Sequence, residues 1–579
     1  MTQENRWRDN NTLPSLISKL KENIVEREQE IEAIKMQFDV VLEGQTALSV
    51  IAGDVGCGKT TLIKTVLADL SKLNGTCVYG KFEQFKNEEP YVAIIQIVEQ
   101  ITDQILTFPD EKLNRIKNKL VKELGKDATL ITDIIPKAQK IMGETGRANT
   151  DDYQKLKVRL EKAFRAFISI TAREMFPLIM AIDDLQWADK PSWNIISSIA
   201  DQMYGIGLYI ILSYRNNLEK YRIKVNSMLD TLGKIKKNML EITVGSLSPG
   251  VVKRLLDNAF GGDFDNIDKL LGLVYRKTTG NPLYVQILIN LLHKNEGIYF
   301  DPQNKVWHLN LDIARETNLP NSIVGIINSK IESLNHDQKR LLEIASCIGS
   351  RFSIGLLSRI MNENLQVLEE KLKEICRTGL IVETIEDSYD PDNTEFEFFH
   401  DRIYQNVYEH IEPERKEWLH FIIAMELLNS PDRSYIEDNI LPITSHLLKC
   451  KRIIKTEITA ERLVDYLYLA GIKAKCSAAV EHALKLFGLG EELLGPSCWQ
   501  EDYDNAFRIK IELAECEFIC GQYDKAMDYY KELLEHADGQ ETLAEIKKRQ
   551  MIMYSYTGDH DKVIEHGFPG KRRCQQGWH

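Results

Sequence analysis

The sequence predicts an α/β fold, a parallel sheet with helices on both faces, followed by helical domains. Three observations predict it. Apolar runs of strand length, TALSVIA, PLIMAIDD and GLYIILSYR, alternate with amphipathic helical patterns as far as Ser248. A glycine-rich octapeptide, GDVGCGKT, joins the first run directly to a helix. From about Arg402 onward every pattern is helical. Strands that alternate with helices build parallel sheets, because each crossover returns the chain to the same edge.

Residues 1–22 read as a polar lead-in, and an α/β domain spans 23–248. It opens on a helix, Glu26–Leu42, with Ile31, Ile34 and Phe38 at helical spacing. TALSVIA is the first strand, Cys77–Phe82 the second and LEITVGSLSP the fifth, running into a turn. Between Tyr91 and Phe176 the runs IIQIVEQITDQIL, KLNRIKNKLVKEL and YQKLKVRLEKAFRAFISI are helical. Residues 249–320 hold short helices, Val251–Phe260, Ile267–Thr278 and Leu283–His293, and a hairpin over Gly297–Leu311. Residues 321–412 give three or four helices and then two strand-like runs, GLIVETIE and TEFEFFH, the order of a winged helix. Residues 413–566 read as tetratricopeptide-like repeats. In Ala506–Ala537, Leu513, Ala514, Gly521, Tyr523, Ala526 and Tyr530 sit where that repeat wants them. Such arrays present a concave surface to protein partners.

Composition excludes several classes. The chain of 579 residues is 43% hydrophobic and 27% charged, with a formal charge of −13. An acidic balance disfavours non-specific nucleic-acid binding. No apolar run reaches the length of a membrane span, and Met1 is followed by polar residues rather than the apolar core of a signal peptide. The ten cysteines form no CxxC pair, a usage that fits reduced thiols and a cytoplasmic location. Cys516 and Cys520 lie one helical turn apart, as ligands or as two buried helix residues.

GDVGCGKT fits the phosphate-binding pattern GxxxxGK[ST] at every position, between a strand and a helix. Gly53, Gly56 and Gly58 let the backbone curl around phosphate oxygens, so that Asp54, Val55 and Cys57 line the same loop. The helix that follows adds its positive end. Lys59 is expected to bridge the β- and γ-phosphates of ATP, and the Thr60 hydroxyl to ligate Mg²⁺. Thr61 is expected to be an ordinary helix residue near the α-phosphate. PLIMAIDDLQWAD ends a buried strand in Asp183 and Asp184 beside that loop. Asp183 is assigned to Mg²⁺ and Asp184 to the attacking water, against a reading as two solvated acids capping a strand. Asp189 reads as a helix N-cap. Arg215 ends another central strand, where a cation reaches the γ-phosphate or simply faces solvent.

With DDLQWAD, the segments GKFEQFK, SYRNN, TTGNPLYV and FFHDRIYQNVY make the chain resemble the signal-transduction ATPases with numerous domains, a branch of the AAA-type P-loop ATPases. More narrowly it is similar, from about Asn23 to about His566, to the ATPase and repeat block of bacterial hybrids that carry Ser/Thr-kinase-like and histidine-kinase modules. The resemblance implies that Arg215 senses the γ-phosphate. It implies that Gly280-Asn281-Pro282 closes a helical lid over the base, with Pro282 at the nucleotide. It offers His400 as a contact to the ADP phosphates, or as a helix-start histidine packed on the wing. The family's opening motif has glycine before Arg-Glu; here the run is Val25-Glu26-Arg27-Glu28, with Glu26 in that place, which weakens any contact assigned to Arg27. No kinase catalytic loop, DFG or phosphoacceptor-histidine module is present in the sequence.

The expected function is a slow ATPase acting as a nucleotide-dependent switch. It would use protein partners on the repeats, among them kinase or histidine-kinase modules, and a nucleotide-dependent oligomer, with no membrane and no specific nucleic acid. A winged-helix DNA regulator and a repeat scaffold with a vestigial ATP site are the alternatives. In LQVLEEKLKEICR, Glu369, Glu370 and Glu374 offset Lys371, Lys373 and Arg377, a poor surface for tracking phosphates. Residues 567–579 form an irregular tail, GFPGKRRCQQGWH. Pro569 and its neighbouring glycines stop the second helix of a repeat unit. The expectation is a chain that ends early relative to its relatives, through a reading-frame change near Gly567, with amides from Ile546 onward exchanging freely. A naturally short tail is the alternative.

Overall fold

The computed structural model describes residues 27–84, 89–143, 153–202, 205–216, 218–261, 263–316, 328, 330–384, 394–430, 433–457, 460–557 and 562–563. Two compact units divide the chain: Met1–Asn87 with Tyr91–Leu124 and Phe164–Leu419, and Glu88–Pro90 with Gly125–Ala163 and His420–His579.

The first unit is built on a five-stranded parallel sheet. Its strands are β1 (Ala47–Gly53), β2 (Thr76–Lys81), β3 (Leu178–Asp183), β4 (Leu208–Arg215) and β5 (Met239–Val244), in the order β2-β3-β4-β1-β5. The three central strands are buried along their whole length, which is why they read as unbroken apolar runs. The edge strands β2 and β5 carry more exposed positions. Alternate residues of a strand face opposite sides. Ile51, Ile179, Tyr209 and Ile211 pack with Ile34 and Phe38 of the helix Glu28–Leu42 and with Leu62, Ile63 and Val66 of the helix Lys59–Lys72. Val50, Met180, Ile182, Ile210 and Leu212, which point the other way, are buried too, so both faces are covered.

The free edge of β2 is closed by side chains. Gln96, Gln100 and Gln104 recur every four residues along the helix Val92–Leu106. Gln96 accepts from the Lys81 amide at 2.7 Å, and Gln104 donates to the Cys77 carbonyl at 3.1 Å. Gln100 grips Tyr79 at both backbone groups, accepting at 3.0 Å and donating at 2.6 Å. These amides satisfy backbone groups that a further strand would otherwise pair.

The next helices, Pro249–Phe260, Ile267–Thr278 and Pro282–Lys294, share a core with Trp307 of a short hairpin, β6 (Ile298–Asp301) and β7 (Val306–Leu309). Next come the helix His336–Ile348, β8 (Arg351–Ser353), the helices Ile354–Met361 and Leu365–Thr378, β9 (Ile381–Thr384) and β10 (Glu395–Phe398). The three strands form an antiparallel sheet in the order β8-β10-β9. The helix Asp401–His410 follows directly. Residues 321–327 of the expected helical stretch lie outside the described residues.

The second unit is mostly helical. Its pairs include Ala460–Cys476 with Val480–Leu494, and Tyr503–Ile519 with Tyr523–Glu535, and the helix Gln540–Thr557 follows. Of the residues that carried the repeat reading, Leu513, Ala514, Ala526 and Tyr530 are buried, whereas Tyr523 is 50% exposed. Cys516 is buried and Cys520 partly so, and no cluster of metal-ligating side chains exists among the described residues.

The last helix differs from expectation. Ile546 packs with Ile511, Ala514, Tyr530 and Leu533 of the preceding pair, joined by Met553 and Tyr554. Arg549 donates to Glu512 at 3.0 Å and also pairs with Glu515 and Glu545. Lys475 completes a buried cluster with Glu512. Burial alone would raise the Glu512 carboxyl, but Lys475 and Arg549 hold it below its ordinary value. The helix thus has the packing partners that the amino-acid pattern alone did not reveal. Residues 564–579, including Gly567 and Pro569, lie outside the described residues. No helix among the described residues is long and apolar enough to cross a membrane.

Candidate nucleotide site

Strand register gathers the site at one edge of the sheet. Gly53 lies level with Arg215, and Lys81 with Asp183. The C-terminal edge of a parallel sheet is where such folds bind ligands.

The glycine loop leaves β1 and enters the helix Lys59–Lys72 through Gly58, which has a φ of 99°. That left-handed value favours glycine and aims the first-turn N–H groups at the loop interior. Gly53 is required for space rather than for curl, because a side chain there would lie 2.6 Å from the Val244 carbonyl. At Gly56 it would strike Leu283, 2.7 Å away. The helix carrying Pro282 therefore starts directly on the loop. Asn281 caps that helix and donates to the Val55 carbonyl at 3.0 Å, and Leu283 N donates to Gly56 O at 3.3 Å.

Lys59 is buried, and its ammonium curls back over the loop to the carbonyls of Gly53 (2.9 Å) and Asp54 (2.8 Å). Cys57 is buried beside it, and burial raises its thiol. Asp54 and Thr61 are exposed. Arg27 reaches the Cys57 carbonyl at 3.4 Å and also bonds Gly245 O, so it supports the loop despite the missing glycine before it.

Asp183 and Asp184 are 1% and 4% exposed, which rules out two solvated acids. Asp183 is held at both oxygens. Oδ2 accepts from the Thr60 hydroxyl at 2.6 Å and from the Tyr79 hydroxyl at 2.9 Å. Oδ1 accepts from the Asp184 amide at 3.0 Å and from Ser213. Burial pushes this carboxyl up, but Lys81 and the Ser213, Thr60 and Tyr79 hydroxyls outweigh burial and hold it ionised. An ionised carboxylate beside a hydroxyl is a hard oxygen set that fits Mg²⁺.

Asp184 sits in the left-handed region, φ 58° and ψ 44°, a conformation costly for a residue with a side chain. This turn swings its carboxylate to Arg215, which donates from Nε at 2.9 Å and from Nη2 at 3.1 Å, and to Gln186, at 2.6 Å. Burial raises the Asp184 carboxyl; Arg215 opposes this, and Asp183 and Asp401 add to it. Asp189 accepts from Ser192 N at 2.7 Å at a helix start, the N-cap arrangement.

Arg215 is 6% exposed, so the reading as a solvent-facing arginine fails. Its second partner is Asp401, 2.8 Å from Nη2. Lys81 also bonds Asp401, at 2.7 Å, and lies 3.7 Å from Asp184. Burial would lower both cations, yet the surrounding carboxylates raise them above their ordinary values. The same cations hold Asp401 far below the carboxylate range despite burial. His400 starts the helix Asp401–His410, its Nδ1 accepting from Arg402 N at 3.0 Å. Burial pushes it down to about 4; Asp401 opposes, and Arg215 and Lys81 reinforce. His400 is therefore a neutral helix cap at neutral pH.

Tyr79, Lys81, Ser213 and Asp401 were not singled out from the sequence. Lys81 lies inside GKFEQFK and Asp401 inside FFHDRIYQNVY, so the signal was the charged residue within each motif. Tyr79 and Ser213 carry no such signal, because a hydroxyl in a buried strand looks like packing.

Residues 23–211 match the AAA ATPase domain. The chain is 22% identical, over 94% of its length and 19% of the other's, to hybrid signal transduction histidine kinase G of Dictyostelium discoideum. It is 21% identical, over 88% of its length and 23% of the other's, to the peroxide stress-activated histidine kinase mak3 of Schizosaccharomyces pombe. The chain thus spans about a fifth of the length of these curated relatives, which are eukaryotic rather than bacterial. Among solved structures it is similar to a Signal Transduction ATPase with Numerous Domains (STAND) protein with a tetratricopeptide repeat sensor from Pyrococcus horikoshii. That match has 14% identity and a TM-score of 0.36, covering 92% of this chain and 75% of the other.

Proposed function

On the AAA ATPase domain that residues 23–211 match, we propose that the chain is a nucleotide-dependent signalling switch that binds ATP with Mg²⁺ and hydrolyses it slowly. One observation carries this reading: Arg215, the cation at the end of β4, is shared between Asp184 of the ATPase site and Asp401 of the region that follows β10. A γ-phosphate offers Arg215 and Lys81 negative charge, as Asp401 does. ATP therefore competes with Asp401 for them, and ADP does not.

The residues divide the chemistry. The loop amides of Gly53 to Gly58 and the ammonium of Lys59 cradle the phosphates. Thr60 and Asp183 hold Mg²⁺, which neutralises phosphate charge when bound. Asp184 orients and deprotonates the attacking water once Arg215 turns to the γ-phosphate; its raised carboxyl suits a base. The helix starting at Pro282 closes over the loop. His400 caps the helix that carries Asp401, so it acts on the phosphates through that carboxylate.

In this reading residues 321–412 are a winged-helix-like latch and the helical repeats receive protein partners in the cytoplasm, kinase or histidine-kinase modules among them. Release of the latch exposes a surface for a nucleotide-dependent oligomer. A DNA-binding role for the helix Leu365–Thr378 is disfavoured, since Lys371 and Lys373 are engaged by Glu363 and Glu369. Size-exclusion chromatography of the full chain with ADP and with a non-hydrolysable ATP analogue tests the switch. A difference in elution between the two supports it, and identical profiles together with equal affinity for both nucleotides would overturn it.

A further inference from the structure

We infer that Tyr79 is a positioning residue for the metal-binding carboxylate, fixing Asp183 Oδ2 for Mg²⁺ without touching metal or nucleotide. The inference rests on the assignment of Thr60 and Asp183 to Mg²⁺.

The geometry is specific. The Tyr79 hydroxyl and the Thr60 hydroxyl donate to the same carboxylate oxygen, at 2.9 and 2.6 Å. Oδ1 is independently fixed by Ser213 and by the Asp184 amide. Of the four donors, Thr60 belongs to the glycine-loop helix and must meet the cation itself. Ser213 and the Asp184 amide hold the oxygen shared with the neighbouring acid. Tyr79 alone of the four donates to Oδ2 from outside the loop and from outside β3 and β4. It keeps that oxygen beside Thr60 whether or not the loop rearranges.

Tyr79 is itself over-determined. Its backbone is gripped at both ends by Gln100, whose helix shields the edge of β2. Two residues further on, Lys81 is held by Gln96 and reaches Asp401. A rigid donor reached through a clamped backbone sets a ligand's orientation. If it served only as packing, the ring would suffice and the hydroxyl would be dispensable.

The test is Tyr79→Phe in the full chain, which keeps the ring and removes the donor. Binding of a fluorescent ATP analogue is followed as Mg²⁺ is raised from zero in a chelator buffer. The expected result is a rise of roughly tenfold in half-saturating Mg²⁺, with metal-free analogue affinity and the melting temperature of the nucleotide-free protein close to wild type. An unchanged Mg²⁺ midpoint in Tyr79→Phe, or a lower one, overturns the inference. If wild type itself shows no Mg²⁺ dependence, the metal assignment to Thr60 and Asp183 fails instead. If Tyr79→Phe melts early and loses metal-free affinity in proportion, the hydroxyl is structural and the inference also falls.

Discussion

Asp401 accepts a hydrogen bond from Arg215 at 2.8 Å, and this contact joins the end of a central strand of the parallel sheet to the helix that follows β10. The pair is largely buried, 7% and 21% exposed in the side chains, and Lys81 stands on its other side. A buried carboxylate between two cations is a strong local constraint, and removing its charge leaves Arg215 and Lys81 sharing Asp184 with one carboxylate fewer beside them. Asp401→Asn is therefore expected to favour ATP over ADP. Coupling of this kind amounts to about 5- to 150-fold, so the ratio of ADP to ATP dissociation constants should rise about tenfold. Isothermal titration of both nucleotides checks it; an unchanged ratio removes the latch from the switch.

Lys59→Ala tests the phosphate cradle. ATP with Mg²⁺ at about a hundred times its dissociation constant adds about 2.7 kcal/mol of stability if only the folded state binds it. The variant is expected to lose most of that shift in a melting experiment, because it removes the one lysine placed within the glycine loop. Equal ATP-induced shifts in the two proteins would falsify the loop assignment.

Asp184→Asn separates binding from hydrolysis. The amide keeps the shape but cannot take a proton, so single-turnover hydrolysis is expected to fall by about 10²- to 10⁴-fold while ATP affinity survives within a few-fold. The structure adds a second consequence. Arg215 loses the charge of its bidentate partner, so the nucleotide-free protein should also melt earlier. Unchanged hydrolysis would take the water-orienting role away from Asp184.

His400 makes stability depend on pH in a defined window. Its folded value is about 4, below the ordinary 6.5 of the unfolded chain. Between these values the unfolded state binds the extra proton, so stability falls as pH drops from about 6.5 to about 4. The slope is at most about 1.4 kcal/mol per pH unit. His400→Asn keeps a helix-capping side chain and removes the titration. Denaturant melts across that window should show a shallower fall for the variant than for wild type, and parallel curves would mean that His400 is not the group responsible.

How legible this was in the sequence depended on what each residue does locally. The strands β1, β3 and β4 were readable because strands buried on both faces leave unbroken apolar runs. The loop was readable because each of its glycines and Lys59 answers a backbone demand. Asp401 and Tyr79 were not readable, because their meaning lies in partners more than a hundred positions away. Asp401 lies within FFHDRIYQNVY, but that motif alone does not separate a partner of Arg215 from an ordinary acid at a helix start, where Asp is common. The left-handed turn at Asp184, which hands its carboxylate to Arg215, is likewise invisible in the run IDDLQW.

The helix Gln540–Thr557 shows the same limit from the other side. The chain beyond it turns to glycine and proline, so free amide exchange from Ile546 onward was the natural expectation. The structure gives a different reason to expect the opposite. Ile546 is fully buried, Gln550 and Met553 are nearly so, and the apolar cluster that Ile546 and Met553 join includes Tyr530 and Leu533 of the preceding pair. Arg549 adds ion pairs to Glu512 and Glu515 on the helix Tyr503–Ile519. In a repeat array each helix is stabilised chiefly by its neighbour, so this interface sets the local opening energy. Native-state hydrogen exchange should therefore show protection of the amides of Ile546, Gln550 and Met553 comparable to that of the helix Tyr523–Glu535. Ile546→Ala removes the most buried of these contacts and should cost about 2–5 kcal/mol of local stability. That loss should appear as faster exchange in Gln540–Thr557 and Tyr523–Glu535, while β1 and β4 of the parallel sheet stay unchanged. Rapid exchange of Ile546 and Met553 in the wild-type chain would show that the observed packing does not hold the helix.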